Sequence, residues 1–222
     1  MQLFNAIVDG MTWLLNWLYY VTETVGLPSY GIAIILLTVI VKVVLYPLTN
    51  KQMKSMLAMQ QIQPKVKEIQ EKWKAKDPKK MQQMIMELYK ENNVNPAAGC
   101  LPLLVQMPIL IALYRSLFAF PYVNAAHASF IWVQNLSDKD PYFILPLLAG
   151  ITTYLQSKMT TSTTDPTQKM MLYTMPVFIA WISSTFPAGL ALYWVVFNIA
   201  GGAQQYFINK QAMVVKGEAG KS

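Results

Sequence analysis

GIAIILLTVIVKVVLYPL, residues 31–48, is an apolar run broken by a single full charge, Lys42. At ~1.5 Å of rise per residue it reaches roughly 27 Å, close to the hydrocarbon thickness of a bilayer, and so predicts a transmembrane helix. An ammonium in such a helix costs about 2.5 to 3.5 kcal/mol on insertion scales and usually faces protein or water instead of lipid. Two readings fit this residue taken alone. Pro47 lies ~7.5 Å further along the helix, so the lysine stem can snorkel most of the way to the headgroups; alternatively, the charge projects into a polar recess between helices.

The remainder of the chain is of the same kind. Its 222 residues are 54% hydrophobic and only 13% charged, with a mean hydropathy of +0.31. That is too apolar for an ordinary soluble domain and indicates an all-α polytopic membrane protein. The net charge of +7 comes from 17 lysines and one arginine, Arg115, with ten of the lysines between Lys51 and Lys90. Cys100, the single cysteine, has no partner for a disulfide or metal site and is expected to be a small buried residue. The opening residues MQLFNAIVDG show neither a basic head nor a small-residue cleavage site, so no secretory signal is expected.

Residues 1–27 carry an apolar stripe (Phe4, Ile7, Val8, Met11, Leu14, Leu15, Leu18) opposite Asn5, Asp9, Thr12 and Asn16. With Trp13, Trp17, Tyr19 and Tyr20 beside it, this reads as an extracytoplasmic amphipathic helix lying in the membrane interface; a spanning helix is the alternative, for which the apolar part from Met11 to Val21 is short. Gly26 and Pro28 end it. Residues 50–96 are soluble in character, and two apolar stripes (Met56, Met59, Ile62, Val66, Ile69, Trp73 and Met81, Ile85, Leu88, Tyr89) flank a turn at Asp77 and Pro78. The pattern predicts a helical hairpin with a lysine-rich outer face, held on the cytoplasmic side by its charge. Its methionines are core packing or an adaptable binding face.

Residues 101–120, 142–156, 170–184 and 187–207 are further apolar segments. With the first they make a core of five transmembrane helices, drawn from residues 28–49 and 97–210, followed by a short basic tail, residues 211–222. The distribution of lysine places the N-terminus outside and the C-terminus in the cytoplasm. Gln106, Gln156, Thr174, Asn198, Gln204 and Gln205 then share the inner half of the bilayer with Lys42, while Phe118, Phe120, Trp181 and Phe186 occupy the outer half with Arg115 near the surface. This asymmetry suggests a pocket wet toward the cytoplasm and closed by aromatics on the other side; ordinary interhelical hydrogen bonding by the amides is the alternative.

None of the five segments contains Asp, Glu or His. A proton-coupled transporter would need such a relay. No nucleophile and base pair, phosphate loop or metal spacing is present, so neither an enzyme nor a cofactor is expected, and His127 is expected to be solvated in an outer loop. A lone cation in a half-open pocket suits a transient partner, an acidic segment of another polypeptide whose apolar part then slides into lipid.

The runs KVVLYPLTNKQ (42–52), VNPAAGCLPLLVQMP (94–108), LSDKDPYFILP (136–146), TDP (164–166) and FPAGLALYWVVFN (186–198) resemble, in order and over most of the chain, the YidC/Oxa family of membrane protein insertases, in its short bacterial form. The resemblance implies a five-helix core with a hydrophilic groove open to cytoplasm and lipid. It also implies a mobile cytoplasmic hairpin, and insertion and chaperoning of nascent membrane proteins in the bacterial plasma membrane without nucleotide hydrolysis. Lys42 stands where the family usually has an arginine, which keeps the charge but loses the bidentate fork. Thr38 matches a polar groove position, Tyr193 and Trp194 match aromatic positions that contact substrate, and Gln156 is placed with them. Gln106 and Asn198 complete the groove on the depth argument. The hairpin resembles the region that recruits the ribosome, signal recognition particle components or the Sec translocon, with no direct nucleic-acid function. Two other classes remain open on the residues alone, a small channel or transporter with Lys42 as an anion site, and a scaffold for the Sec machinery.

Overall fold

A computed structural model of the chain describes residues 2–94, 101–118, 120–160 and 166–219. Cys100, Thr164, Asp165 and Lys221 lie outside these residues. Eight α-helices make up the described chain: α1 (Gln2–Thr24), α2 (Tyr30–Val44), α3 (Tyr46–Trp73), α4 (Pro78–Glu91), α5 (Leu101–Phe118), α6 (Ile144–Thr160), α7 (Pro166–Ser183) and α8 (Ala188–Ala219). A 3-10 turn, Ala125–Ala128, lies between α5 and α6.

Local chemistry sets the ends of these helices. Gly26, at φ 78°, closes α1: its N–H reaches Glu23 O at 3.0 Å and that of Leu27 reaches Thr22 O at 2.9 Å. This pair of hydrogen bonds is the left-handed C-terminal cap for which glycine is suited. Ser29 then caps α2 through Ile32 N, and the Asp77 carboxylate accepts from Lys79 N and Lys80 N to start α4, with Pro78 in its first turn. The apolar run from residue 31 does not remain one helix to Leu48. It breaks after Val44, and α3 leaves at an angle of 67° to α2. Pro47 is the cause, since it lacks the N–H that would bond to Val43 O and its ring crowds that carbonyl.

Among the described residues no single helix is long and apolar enough to cross a membrane by itself; α2 and α3 pass that test together as a bent pair. The 15 residues of α2 rise about 22 Å, short of a ~30 Å hydrocarbon layer.

The helices pack around α8. On one side α1, α2 and α5 share a core with it that includes Leu15, Leu18, Leu37, Leu113, Leu117 and Tyr193. On the other, α6 and α7 meet α8 through the smaller cluster of Ala149, Ile179 and Val195. Gly150 lets α6 and α7 approach closely, because a Cβ there would come within 2.9 Å of Ala180 Cβ and 3.0 Å of Pro176 O. The α3–α4 hairpin buries Ile62 and Val66 of α3 and no residue of α4. Trp73 ends α3 under two cations, Lys80 Nζ 4.2 Å and Lys72 Nζ 5.8 Å from its ring.

α1 is docked on the bundle. Its Tyr19 stacks on Tyr30 with ring centroids 4.4 Å apart, Tyr30 OH donates to Asn16 Oδ1 at 3.0 Å, and Thr12 Oγ1 lies 2.7 Å from Ser116 Oγ of α5. Trp13, Trp17 and Tyr20 remain exposed on its other face. The connection from α5 to α6 is likewise packed into the fold. Phe130 lies over Gly31, filling the space a side chain would take, and Leu136 O accepts from Gly189 N at 2.9 Å at the start of α8. The Asp140 carboxylate is buried and receives Trp132 Nε1, Tyr142 N and Leu145 N. His127 is not simply solvated, for its Nδ1 lies 2.7 Å from Tyr19 OH.

Candidate functional site

α8 presents its polar and aromatic side chains to three neighbours at successive levels. First comes Tyr193, 0% exposed, whose hydroxyl accepts from Gln106 Nε2 of α5 at 3.0 Å. One turn on, Phe197 stacks with Tyr193 at 5.8 Å and carries the Lys42 Nζ of α2 over its ring, 3.5 Å from the centroid. Another turn brings Gly201, where a Cβ would run into Gln156 Nε2 and come within 2.9 Å of Lys42 Nζ. The missing side chain leaves the room in which the lysine and the amide lie.

Lys42 is thus 8% exposed, and no carboxylate of a described residue pairs with it. Its ammonium has the π face of Phe197 instead, an interaction worth up to about 2 kcal/mol when desolvated, which offsets part of the cost of burying the charge.

On the α6 side the network can be followed proton by proton. Thr153 Oγ1 donates to Ala149 O at 2.7 Å and Thr152 Oγ1 to Leu148 O at 2.8 Å. Trp194 Nε1 donates to Thr153 Oγ1 at 2.9 Å. Being a donor only, Trp194 Nε1 also fixes the Asn198 amide: the atom facing it at 3.1 Å is the oxygen, which leaves Asn198 nitrogen to donate to Gln156 Oε1 at 2.7 Å. Gln156 therefore turns its NH2 toward Gly201 and Lys42. Two donors meet there, and the ring of Phe197 remains the acceptor for the ammonium.

Next to Lys42 opens a cavity of about 340 Å³ lined by Val39, Val43, Tyr46, Pro47, Ala200 and Gln204 as well as the lysine stem. Gln204 is tied to Thr49, its Nε2 donating to Thr49 Oγ1 at 3.0 Å. The cavity wall is consequently mostly apolar, which differs from a recess lined by free polar groups. The amides that spacing placed around Lys42 are engaged elsewhere: Gln156 with Asn198, Gln106 with Tyr193, Gln204 with Thr49 and Gln205 with Asn209.

The seven residues expected from the sequence therefore divide. Lys42, Gln156, Asn198 and Trp194 converge where α2, α6 and α8 meet. Gln106 and Tyr193 form a separate pair deeper in the core. Thr38 is 0% exposed and its hydroxyl is spent on Ile34 O at 2.7 Å within its own helix. Thr174 is exposed and its hydroxyl donates to Met170 O of its own helix. Spacing missed Phe197, Gly201, Thr152 and Thr153. Tyr193, Phe197 and Gly201 recur every four residues and so share a face of α8, which is the one signal that would have found two of them.

The end of the bundle where α2 begins is closed by aromatic rings. Tyr30 meets Phe120 at 5.3 Å and Tyr122 at 4.7 Å, edge to face, and Tyr114 meets Phe186 at 5.2 Å. Phe118 and Trp181, expected in this seal, instead point outward. Tyr122 lies outside the apolar segments, and burial pushes its phenol above the usual range.

Comparison with known proteins adds three findings. The family model described as 60Kd inner membrane protein matches residues 20–216. Proteins named membrane protein insertase YidC are similar over most of the chain. That of Geobacter metallireducens is 48% identical over 82% of this chain and 34% of its own length; that of Wolinella succinogenes is 48% identical over 89% and 36% respectively. Among solved structures, an active YidC insertase crystal structure with the first transmembrane domain resolved superposes with a TM-score of 0.75 at 30% identity, covering 92% of this chain and 46% of that one. The chain thus spans about a third of the length of these relatives.

Proposed function

The chain belongs to the 60Kd inner membrane protein family, whose matched relatives are named YidC insertases, and on that premise we propose that it moves small or weakly charged membrane proteins from the cytoplasm into the bacterial plasma membrane and chaperones them there. The proposed topology has five spans with the N-terminus outside, the α3–α4 hairpin in the cytoplasm, and α1 in the outer interface. The ten lysines between Lys51 and Lys90 support that orientation. No nucleotide or cofactor enters the proposed cycle. The hairpin is the proposed contact for the ribosome, signal recognition particle components and the Sec translocon.

One observation carries this reading. A buried ammonium, without a carboxylate partner among the described residues, borders an apolar cavity beside Val39, Val43 and Tyr46. A client with an acidic flank offers Lys42 the charge it lacks. Its apolar segment finds a compatible wall in the cavity, from which the exposed Val43 and Val44 of α2 lead to lipid. Trp194, half-buried at the same junction, is the aromatic contact. The client makes its first contacts with Lys42, Val43 and Trp194, and reaches Thr38 and Tyr193 only if the helices part.

Growth of cells depleted of their own insertase tests this. Lys42→Arg is expected to support growth and Lys42→Glu to reduce it at least ~10-fold, a difference of about 1.4 kcal/mol or more at the capture step. Normal growth of Lys42→Ala and Lys42→Glu with every client tried would remove electrostatic capture from the mechanism. Photocrosslinking of a stalled nascent chain from positions 42, 43 and 194 gives the physical contact directly.

A further inference from the structure

We infer that Phe197 is a resting seat for the Lys42 ammonium and that the strength of this seat sets how far the groove prefers clients with an acidic flank. The inference rests on the reading of Lys42 as the client's charge contact and adds the internal group with which the client must compete. Three observations lead to it. Lys42 Nζ lies 3.5 Å from the Phe197 ring centroid, within the range of a cation held on an aromatic face. The nearest amide, Gln156, accepts from Asn198 through its oxygen and so turns its NH2 group toward the lysine. No carboxylate of a described residue pairs with Lys42.

The consequence follows from comparing states. Without a client, or with a client whose flank is neutral, the ammonium stays on the ring. A client with an Asp or Glu in its flank draws the ammonium away, and part of the new attraction is spent in leaving Phe197. Removing the ring raises the free energy of the empty groove and of the neutral complex alike, and leaves the acidic complex unchanged. Preference for the acidic client must therefore rise when the seat is lost, and fall when it is strengthened. The apolar cavity wall fits this division, since it accepts a neutral segment without calling on the lysine.

The test uses the full chain in liposomes and two single-span clients that differ only by Asp against Asn in the flank, with protease protection as the readout. Phe197→Leu is expected to raise the ratio of acidic to neutral insertion about tenfold; Phe197→Trp, which offers a stronger face, is expected to lower it. Lys42→Gln separates the two layers of argument. If Lys42→Gln abolishes the preference but Phe197→Leu leaves it unchanged, the seat is wrong and capture by Lys42 stands. If Lys42→Gln leaves the preference intact, capture fails and the seat with it. Should Phe197→Leu not assemble, Phe197→Met removes the ring with less change of shape and carries the same expectation. A client-free measurement stands beside these: a membrane-permeant amine reagent should acylate Lys42 several-fold faster in the variant lacking the ring, and equal rates would overturn the seat.

Discussion

Asn198 joins the two halves of the site through a single amide. Its oxygen receives Trp194 Nε1 and its nitrogen serves Gln156, so one side chain of α8 decides which face of Gln156 the lysine meets. Asn198→Leu leaves Gln156 Oε1 without that donor and removes an acceptor from Trp194 in a buried setting. The expected cost is about 1–3 kcal/mol, read as a fall in Tm of roughly 3–10 °C in detergent. An unchanged Tm would show that the amide network adds nothing to the junction of α6 and α8. Gly201 acts at the same scale by what it omits, since any Cβ there would push on both Gln156 and Lys42. Lys42 was conspicuous in the sequence as a charge in an apolar run. Phe197 was not, because an aromatic residue in an apolar helix has no feature that tells a cation's seat from packing.

At the scale of elements, the break between α2 and α3 turns the chain from the bundle into the hairpin. Its signal was present in Pro47, but the unbroken apolar run carried the expected helix past it to Leu48. With Pro47→Ala, the restored N–H can bond to Val43 O and α2 can continue into α3. The expected result is a straighter junction, seen as a lengthening of more than about 5 Å between spin labels near the middle of α2 and of α3, given the 67° bend that would be relieved. No change in that distance would mean that packing of α3 on its neighbours, and not the proline, holds the angle. The connection between α5 and α6 teaches the opposite lesson. It carries the apolar run Phe130 to Val133, but nothing local says where that run packs, and in the fold Val133 and Leu136 are in the core and Asp140 gathers three donors. Its partners are far away in sequence, and no local pattern encodes them.

For the whole molecule, α1 and α8 show how the parts depend on one another. The face of α1 that periodicity marked as apolar supplies Leu15 and Leu18 to the same core as α2, α5 and α8, and Tyr19, expected among the interfacial aromatics, is buried there with them. Removing residues 1–24 is therefore expected to expose Tyr30 and to lower Tm by more than about 5 °C. A truncated chain that melts like the full one would make α1 a mere appendage. α8 is the common wall of both hydrophobic clusters, so changes on it reach the α2 side and the α6–α7 side together.

The sequence by itself determined that this chain is helical and apolar, that turns fall near Gly26 and at Asp77 and Pro78, and that a lone lysine sits in the apolar run 31–48. These are local properties, set by periodicity, capping chemistry and charge. It also carried the motifs by which the family was identified. Only the tertiary structure decided that Lys42 rests on Phe197, that Gln156 turns its donors toward it, and that Thr38 and Tyr193 are closed off. Periodicity states which residues share a helix face, but the rotation and depth of one helix against another come from side chains distant in sequence filling the same space, and those choose a charge's neighbours.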